Sequence, residues 1–381
     1  MIGPQRSHML RAITLGAAVA LLAAACAGGG VAPAPSASAS AAASAAVAAL
    51  PGGPFLKDDS PEWKAILDAA RKEGAVTVYG ARSPEIEGAA AAFQSQFGVK
   101  LNYVVGSSGE TSQRMLAEKD SGKFVASVVL TGDSAVWTLG PGKEQLLQNI
   151  VGIPSGARLH PSMSAIVKES GTQYWPVYAQ VYGIFVNTRL VPDADAPKNW
   201  KDLLDPKWKG KIVQHDPTRN GGGQAMWGVL LNAPGYGEPF LQSLAKQELF
   251  IVTGGGDPGA VVARGERALG VPGNVFETTT NAGAPFKYVQ PTDGVLTSQF
   301  VVGLAKAAPA PNAGKVFINW ILSPEMQKLF LDKAYNMPAI TGIPGGQYGL
   351  AVDTLKVVGG GRITPMEADA VSAKAKTILP K

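Results

Sequence analysis

The sequence predicts an α/β fold with a mainly parallel sheet, on three observations. From residue 61 onward, amphipathic stretches of helical length alternate with short apolar runs. Capping residues fall where those helices should begin and end. Of 381 residues, 46% are hydrophobic and 17% charged, which supplies a real core and excludes global disorder.

The elements follow in order. Pro61 to Glu73 reads as a helix started by Ser60 and stopped by Gly74, followed by a strand from Val76 to Tyr79. Pro84 to Phe97 is a second helix with Ser83 as its N-cap. Val99 to Val105 is a strand, Gly109 to Ser121 a helix and Ala126 to Leu130 a strand. Further on, Lys211 to Gln214 is a strand, and the turn Asn220-Gly221-Gly222-Gly223 leads into a helix from Gln224 to Leu231. Phe240 to Lys246 and Ala260 to Arg264 are helical, and Arg267 to Val271 is a strand. Asn312 to Leu322 and Pro324 to Lys333 form two successive helices.

The first residues carry a different message. Arg6 and Arg11 precede an apolar run from Ala12 to Ala25, and then comes Cys26, the sole cysteine. A basic start, a short apolar stretch and small residues before a cut site describe an export signal over 1–25. Leu22-Ala23-Ala24-Ala25-Cys26 resembles a bacterial lipobox, which implies acylation of Cys26 and a membrane anchor. Residues 26–54 are almost entirely Ala, Gly, Ser, Pro and Val, the composition of a flexible tether.

In open parallel sheets a ligand sits beyond the carboxyl ends of the strands. That rule selects the loops 80–84, 106–111, 131–134 and 215–224. Free N–H groups at helix starts favour an anion. The candidates are Arg82 and Ser83 in the first loop, Ser107 and Ser108 in the second, and Thr131 and Asp133 in the third. Asp216, Thr218, Asn220 and Gly221 come from the fourth. Arg82 suits a carboxylate, phosphonate or sulfonate. Asp133 either receives an amine or caps the helix after it.

Other classes find less support. The net charge of +5 is spread thinly, with no basic cluster interleaved with aromatics, which argues against nucleic acid. Three histidines and one cysteine leave little for a His/Cys metal site. No nucleophile elbow, zinc-protease motif, Rossmann fingerprint or P-loop is present, so neither a catalytic centre nor a cofactor is expected.

Several stretches together carry a family resemblance. They are Lys72-Glu73-Gly74 with Val76-Thr77-Val78-Tyr79, Tyr182-Gly183-Ile184-Phe185-Val186-Asn187 and the long run from Asn199 to Ile212. Pro291-Thr292-Asp293-Gly294 and the run from Ala313 to Glu325 complete the set. Over about residues 60–340 the chain resembles the extracellular solute-binding proteins of ABC importers, of the type 2 periplasmic fold and its ferric-iron-binding-like branch. The resemblance implies two lobes, 55–180 with 298–381 and 181–297, joined by crossings near 178–183 and 297–301. A hinge would close them over a solute, and a permease would receive the closed form from a monomeric carrier. Tyr178 and Tyr182 then lie at the hinge, lining the cleft or packing the crossing. Ferric-binding relatives commonly carry adjacent tyrosines where this chain has Gly273-Asn274-Val275-Phe276-Glu277. Hard cations want oxygen ligands, which Val275 and Phe276 do not offer. Phe276 would suit an organic ligand. The expected solute is thus a small organic anion or zwitterion, with ferric iron as the alternative and an extracytoplasmic hydrolase behind both.

Overall fold

The computed structural model describes residues 55–379 apart from 220 and 254–257. The stretches expected to form an export signal (1–25) and a tether (26–54), with Cys26, and Asn220 lie outside them.

The first half builds a parallel sheet. Helix α1 (Pro61–Glu73) begins where Ser60 Oγ accepts the Trp63 N–H at 3.2 Å, and it buries Trp63 and Ala70. Then come β1 (Ala75–Gly80), α2 (Pro84–Phe97), β2 (Lys100–Val105), α3 (Ser108–Ser121), β3 (Val128–Gly132) and α4 (Asp133–Leu139). Both β2 and β3 pair with β1 in parallel, so the loops after all three strands emerge at one edge. After the short β4 (Leu147–Gln148) and α5 (Pro161–Glu169), the chain enters the long β5 (Tyr174–Asn187).

The second half repeats the scheme with β6 (Ile212–His215), α6 (Gly222–Asn232), α7 (Gly237–Ala245), β7 (Phe250–Val252), α8 (Pro258–Ala263), β8 (Leu269–Asn274), α9 (Glu277–Thr280) and β9 (Phe286–Val289). The chain returns through β10 (Leu296–Ala305) to α10 (Pro311–Ile321), α11 (Pro324–Ala334) and β11 (Met337–Pro338). A single sheet path, β2-β1-β3-β10-β5-β8-β6-β7, runs through the molecule. Strands β5 and β10 lie antiparallel from the Tyr182–Leu296 pair to the Tyr174–Gly303 pair.

Two main cores flank this ribbon. Phe93, Met115, Leu130, Trp175, Phe317 and Phe330 belong to the first, and Trp200, Trp227, Leu230, Leu241 and Leu269 to the second. Along β5, Val181 packs with the first and Tyr182 with the second, inside the crossing expected near 178–183. The second lobe's sheet is covered on both faces. Ile212 points into the second core and its neighbour Val213 into a smaller cluster with Phe185 and Val262. Alternate residues of a strand face opposite sides, so a doubly covered strand reads as a continuous apolar run.

The C-terminal segment departs from expectation. Its placement with the first lobe through residue 381 holds only in part, because the chain crosses back a third time. Leu350 packs in the first core, whereas Val358, Ile363, Ala368, Val371 and Ala375 pack in the second. Gly361 O accepts both the N–H and the hydroxyl of Thr297 at 2.7 Å, which ties this strap to the hinge strand. Gln224 Nε2 donates to Ala368 O at 2.8 Å and fastens the final helix, α12 (Ala368–Ile378), onto α6. Small residues dominate the strap, so its apolar signal in the sequence is weak.

Candidate functional site: a polar cleft between the lobes

The loops after β2, β3 and β6 meet across a cleft of about 530 Å³, bordered by α12. Its walls include Ser108, Ser134 and Thr218 together with Gln224, Ser372 and Lys376. A smaller chamber of about 40 Å³ opens deeper in, beside the hinge, and shares Ser134 and Gln224 with the larger space.

Each wall has a local cause. Ser107 caps α3: its hydroxyl accepts the Glu110 N–H at 3.3 Å, and Glu110 accepts the Ser107 N–H at 2.7 Å. These bonds hold the Glu110 carboxyl below its usual range, the backbone one contributing most. The Ser107 side chain is thereby committed to the cap, while Ser108 turns inward and bonds the buried Thr131 hydroxyl at 2.5 Å. That bond ties the loops after β2 and β3 together. In the fourth loop Asp216 Oδ1 accepts both the Thr218 N–H (2.8 Å) and hydroxyl (2.6 Å), and Arg219 approaches its other oxygen at 3.4 Å. Asp216 is therefore a turn former that presents Thr218.

The glycine-rich turn is dictated by space. Gly221 adopts φ 146°, which side chains rarely accept. A Cβ on Gly223 would stand 2.3 Å from the His215 carbonyl oxygen, so only glycine lets α6 start this close to the end of β6. No side chain caps that start. Gln224 in the first turn of α6 and Ser108 and Gly109 in the first turn of α3 line the same cleft, at the positive ends of their helix dipoles.

Asp133 lines the small chamber and belongs to an ion-pair network. Arg362, on the C-terminal strap, donates from Nη1 to Asp133 Oδ2 at 3.0 Å and from Nη2 to Glu169 Oε2 at 2.6 Å. Burial pushes the Asp133 carboxyl up to about 6, against the pull of Arg362 and the Ser134 N–H. The helices of Asp133 and Glu169 both pack in the first core, while Arg362 adjoins Ile363 of the second, so these pairs tie the two cores together.

Other expected residues lie elsewhere. Arg82 is exposed at the end of β1, makes no ion pair among the described residues and does not line this cleft. Ser83 is 4% exposed and serves α2, accepting from Ile86 N and donating to Glu85 at 2.9 Å. Tyr178 packs the crossing: it stacks on Phe300 at 5.1 Å, and burial raises its phenol well above the usual value. Tyr182 is likewise buried, its hydroxyl donating to Gln180 at 2.8 Å. Phe276 is half-buried at the start of α9 and does not border the cleft. Among the described residues, no group of three or more His, Cys, Asp or Glu is placed to hold a metal.

The family motifs act away from the cleft. Glu73 reaches the start of α10, where it accepts from Asn312 N (3.2 Å), Asn312 Nδ2 (2.7 Å) and Ala313 N (2.7 Å). Trp200 Nε1 donates to Gly294 O at 2.9 Å, and Trp200 N donates to Asp293 at 3.2 Å.

A match to the sequence model of the bacterial extracellular solute-binding proteins spans residues 88–347. The chain belongs to that family. It is therefore a solute-binding protein of ABC import, working outside the cytoplasm, and no described helix is long and apolar enough to cross a membrane. A Salmonella typhi protein whose name proposes 2-aminoethylphosphonate binding in the periplasm is 24% identical over 256 residues, 65% of this chain and 72% of that one. Two solved structures show the fold as the two-lobe type 2 periplasmic architecture. AfuA of Actinobacillus pleuropneumoniae, with fructose-6-phosphate bound, has a TM-score of 0.60 at 24% identity, covering 80% of this chain and 96% of its own. Iron-bound HitA of Pseudomonas aeruginosa has a TM-score of 0.62 at 18% identity, covering 80% and 99%.

Sequence reasoning missed Gln224, Thr297, Ser298, Gln299, Arg362 and Ser372, all of which border the cleft or its chamber. The hinge residues sit within a strand, where no turn marks them. Arg362 and Ser372 come from the strap, whose return to the second lobe carries no local signal.

Proposed function

We propose that this solute-binding protein captures a small organic anion or zwitterion, of phosphonate, sulfonate or carboxylate type, and hands it to an ABC permease. One observation carries the reading. The first turns of α3 and of the uncapped α6 line one cleft that also bears the hydroxyls of Ser134, Thr218 and Ser372. Convergent N–H groups and hydroxyls complement an anion by hydrogen bonding and dipole. The name of the Salmonella relative and the sugar phosphate in AfuA point to the same head-group chemistry. Ferric iron is less well supported, since Val275 and Phe276 occupy the stretch where tyrosines were sought.

On this reading Ser108, Thr218 and Gly221 touch the anion, and Ser107 and Thr131 position their loops. The carrier acts as a monomer, anchored by acylated Cys26 and held by its tether within reach of the permease. Calorimetry against phosphonates, sulfonates, carboxylates and ferric salts tests it. Binding of one anionic class, weakened about tenfold or more by Ser108→Ala with Thr218→Val, is the expected outcome. A response to ferric salt alone would refute it. Arg82→Ala should leave affinity within about twofold; a tenfold loss would move the anion to the β1 loop.

A further inference from the structure

We propose that the small chamber under the cleft is an ammonium subsite, which makes the solute a zwitterion with a primary amine on a short spacer. This rests on the anion reading above and extends it to the other end of the molecule.

Three observations converge. The first is an unmet acceptor. Gln299 is 4% exposed and borders the chamber. Its Nε2 donates to Thr297 Oγ1 at 3.4 Å, yet its Oε1 accepts no hydrogen bond among the described residues. A buried acceptor left unmet is costly, so Gln299 Oε1 calls for a donor.

The second is charge. Asp133 and Glu169 share one guanidinium, that of Arg362, which leaves one negative charge uncompensated when both acids are ionised. Arg362 lines the chamber beside Asp133, and a cation seated on the Asp133 side neutralises that charge.

The third is size and placement. A space of about 40 Å³ holds a group as small as water or ammonium. Gly221, Gln224 and Ala225, at the start of α6, also line it. An anionic head bound at that helix start would thus lie next to an amine in the chamber. Three N–H donors on the amine can meet Asp133, Gln299 Oε1 and a hinge hydroxyl.

The test is calorimetry at pH 7.5 with matched pairs that differ only in the amine: 2-aminoethylphosphonate against propylphosphonate, taurine against 1-propanesulfonate and β-alanine against butyrate. Within whichever head-group class binds, the amine-bearing member should bind about tenfold tighter or more. Asp133→Asn and, independently, Gln299→Met should reduce that preference to about threefold or less. Equal affinity within a pair in the native protein overturns the subsite while the anion reading stands. So do variants that weaken both members equally. If no compound binds, the anion reading itself fails and takes the subsite with it.

Discussion

Replacing Arg362 by methionine keeps a long side chain of similar reach but removes the one cation between Asp133 and Glu169. The two pairs are short, 3.0 and 2.6 Å, and the side chains are only 13 to 17% exposed. Removing one partner of a buried pair costs about 3–5 kcal/mol, and the residual exposure selects the lower end, about 3 kcal/mol. For a protein of this size that lowers Tm by about 4–5 °C. The pH dependence follows from linkage. The native Asp133 carboxyl titrates at about 6, above its unfolded value, so the native state holds more protons between the two. Its contribution therefore favours the native state most at low pH and is lost as pH rises from about 4 through 6. Without Arg362 the carboxyl shifts higher still, and the penalty at neutral pH grows. Urea denaturation of both proteins at pH 7.5 and pH 5 checks this. The difference in stability should be about 3 kcal/mol at pH 7.5 and clearly smaller at pH 5, where Asp133 takes up a proton. A difference below about 1 kcal/mol, or one that does not change with pH, would refute the reasoning.

Three further outcomes are expected. Glu73→Ala strips three acceptor contacts from the start of α10, which has no side-chain cap of its own, and should cost about 1–2 kcal/mol in urea denaturation; an unchanged midpoint would show that water replaces the carboxylate. Gly223→Ala forces a Cβ against the His215 carbonyl and should cost about 1–3 kcal/mol while weakening solute affinity, since the start of α6 must shift. Native stability and affinity in that variant would sink the close-packing argument. Cys26→Ser should move the protein from the membrane to the soluble fraction, and retention in the membrane would rule out acylation as the anchor.

Much of the fold was legible because its determinants are local. Ser60, Ser83 and Ser107 act within three residues of themselves, and the glycine turn before α6 announces a backbone that tolerates no Cβ. The stretches that signal the family proved to be long-range staples. Glu73 serves a helix 239 residues later, and the Trp200 and Asp293 motifs meet each other. Such residues serve the fold, so they identify the architecture and leave the solute open. The site was legible only where it follows strand ends. Ser108, Asp133, Thr218 and Gly221 come together at the cleft, whereas Ser83 and Tyr178 are spent on a cap and on hinge packing.

By itself the sequence determined the alternation of helix and strand, the capping of its helices and the strand ends whose loops line the cleft, since these depend on neighbours a few residues apart. Tertiary structure alone decided where the C-terminal strap runs. It crosses to the second lobe, sets Arg362 between Asp133 and Glu169 and brings α12 to the cleft. Those contacts join residues up to 229 positions apart, and their energy depends on burial and charge balance, which arise only once both lobes have formed.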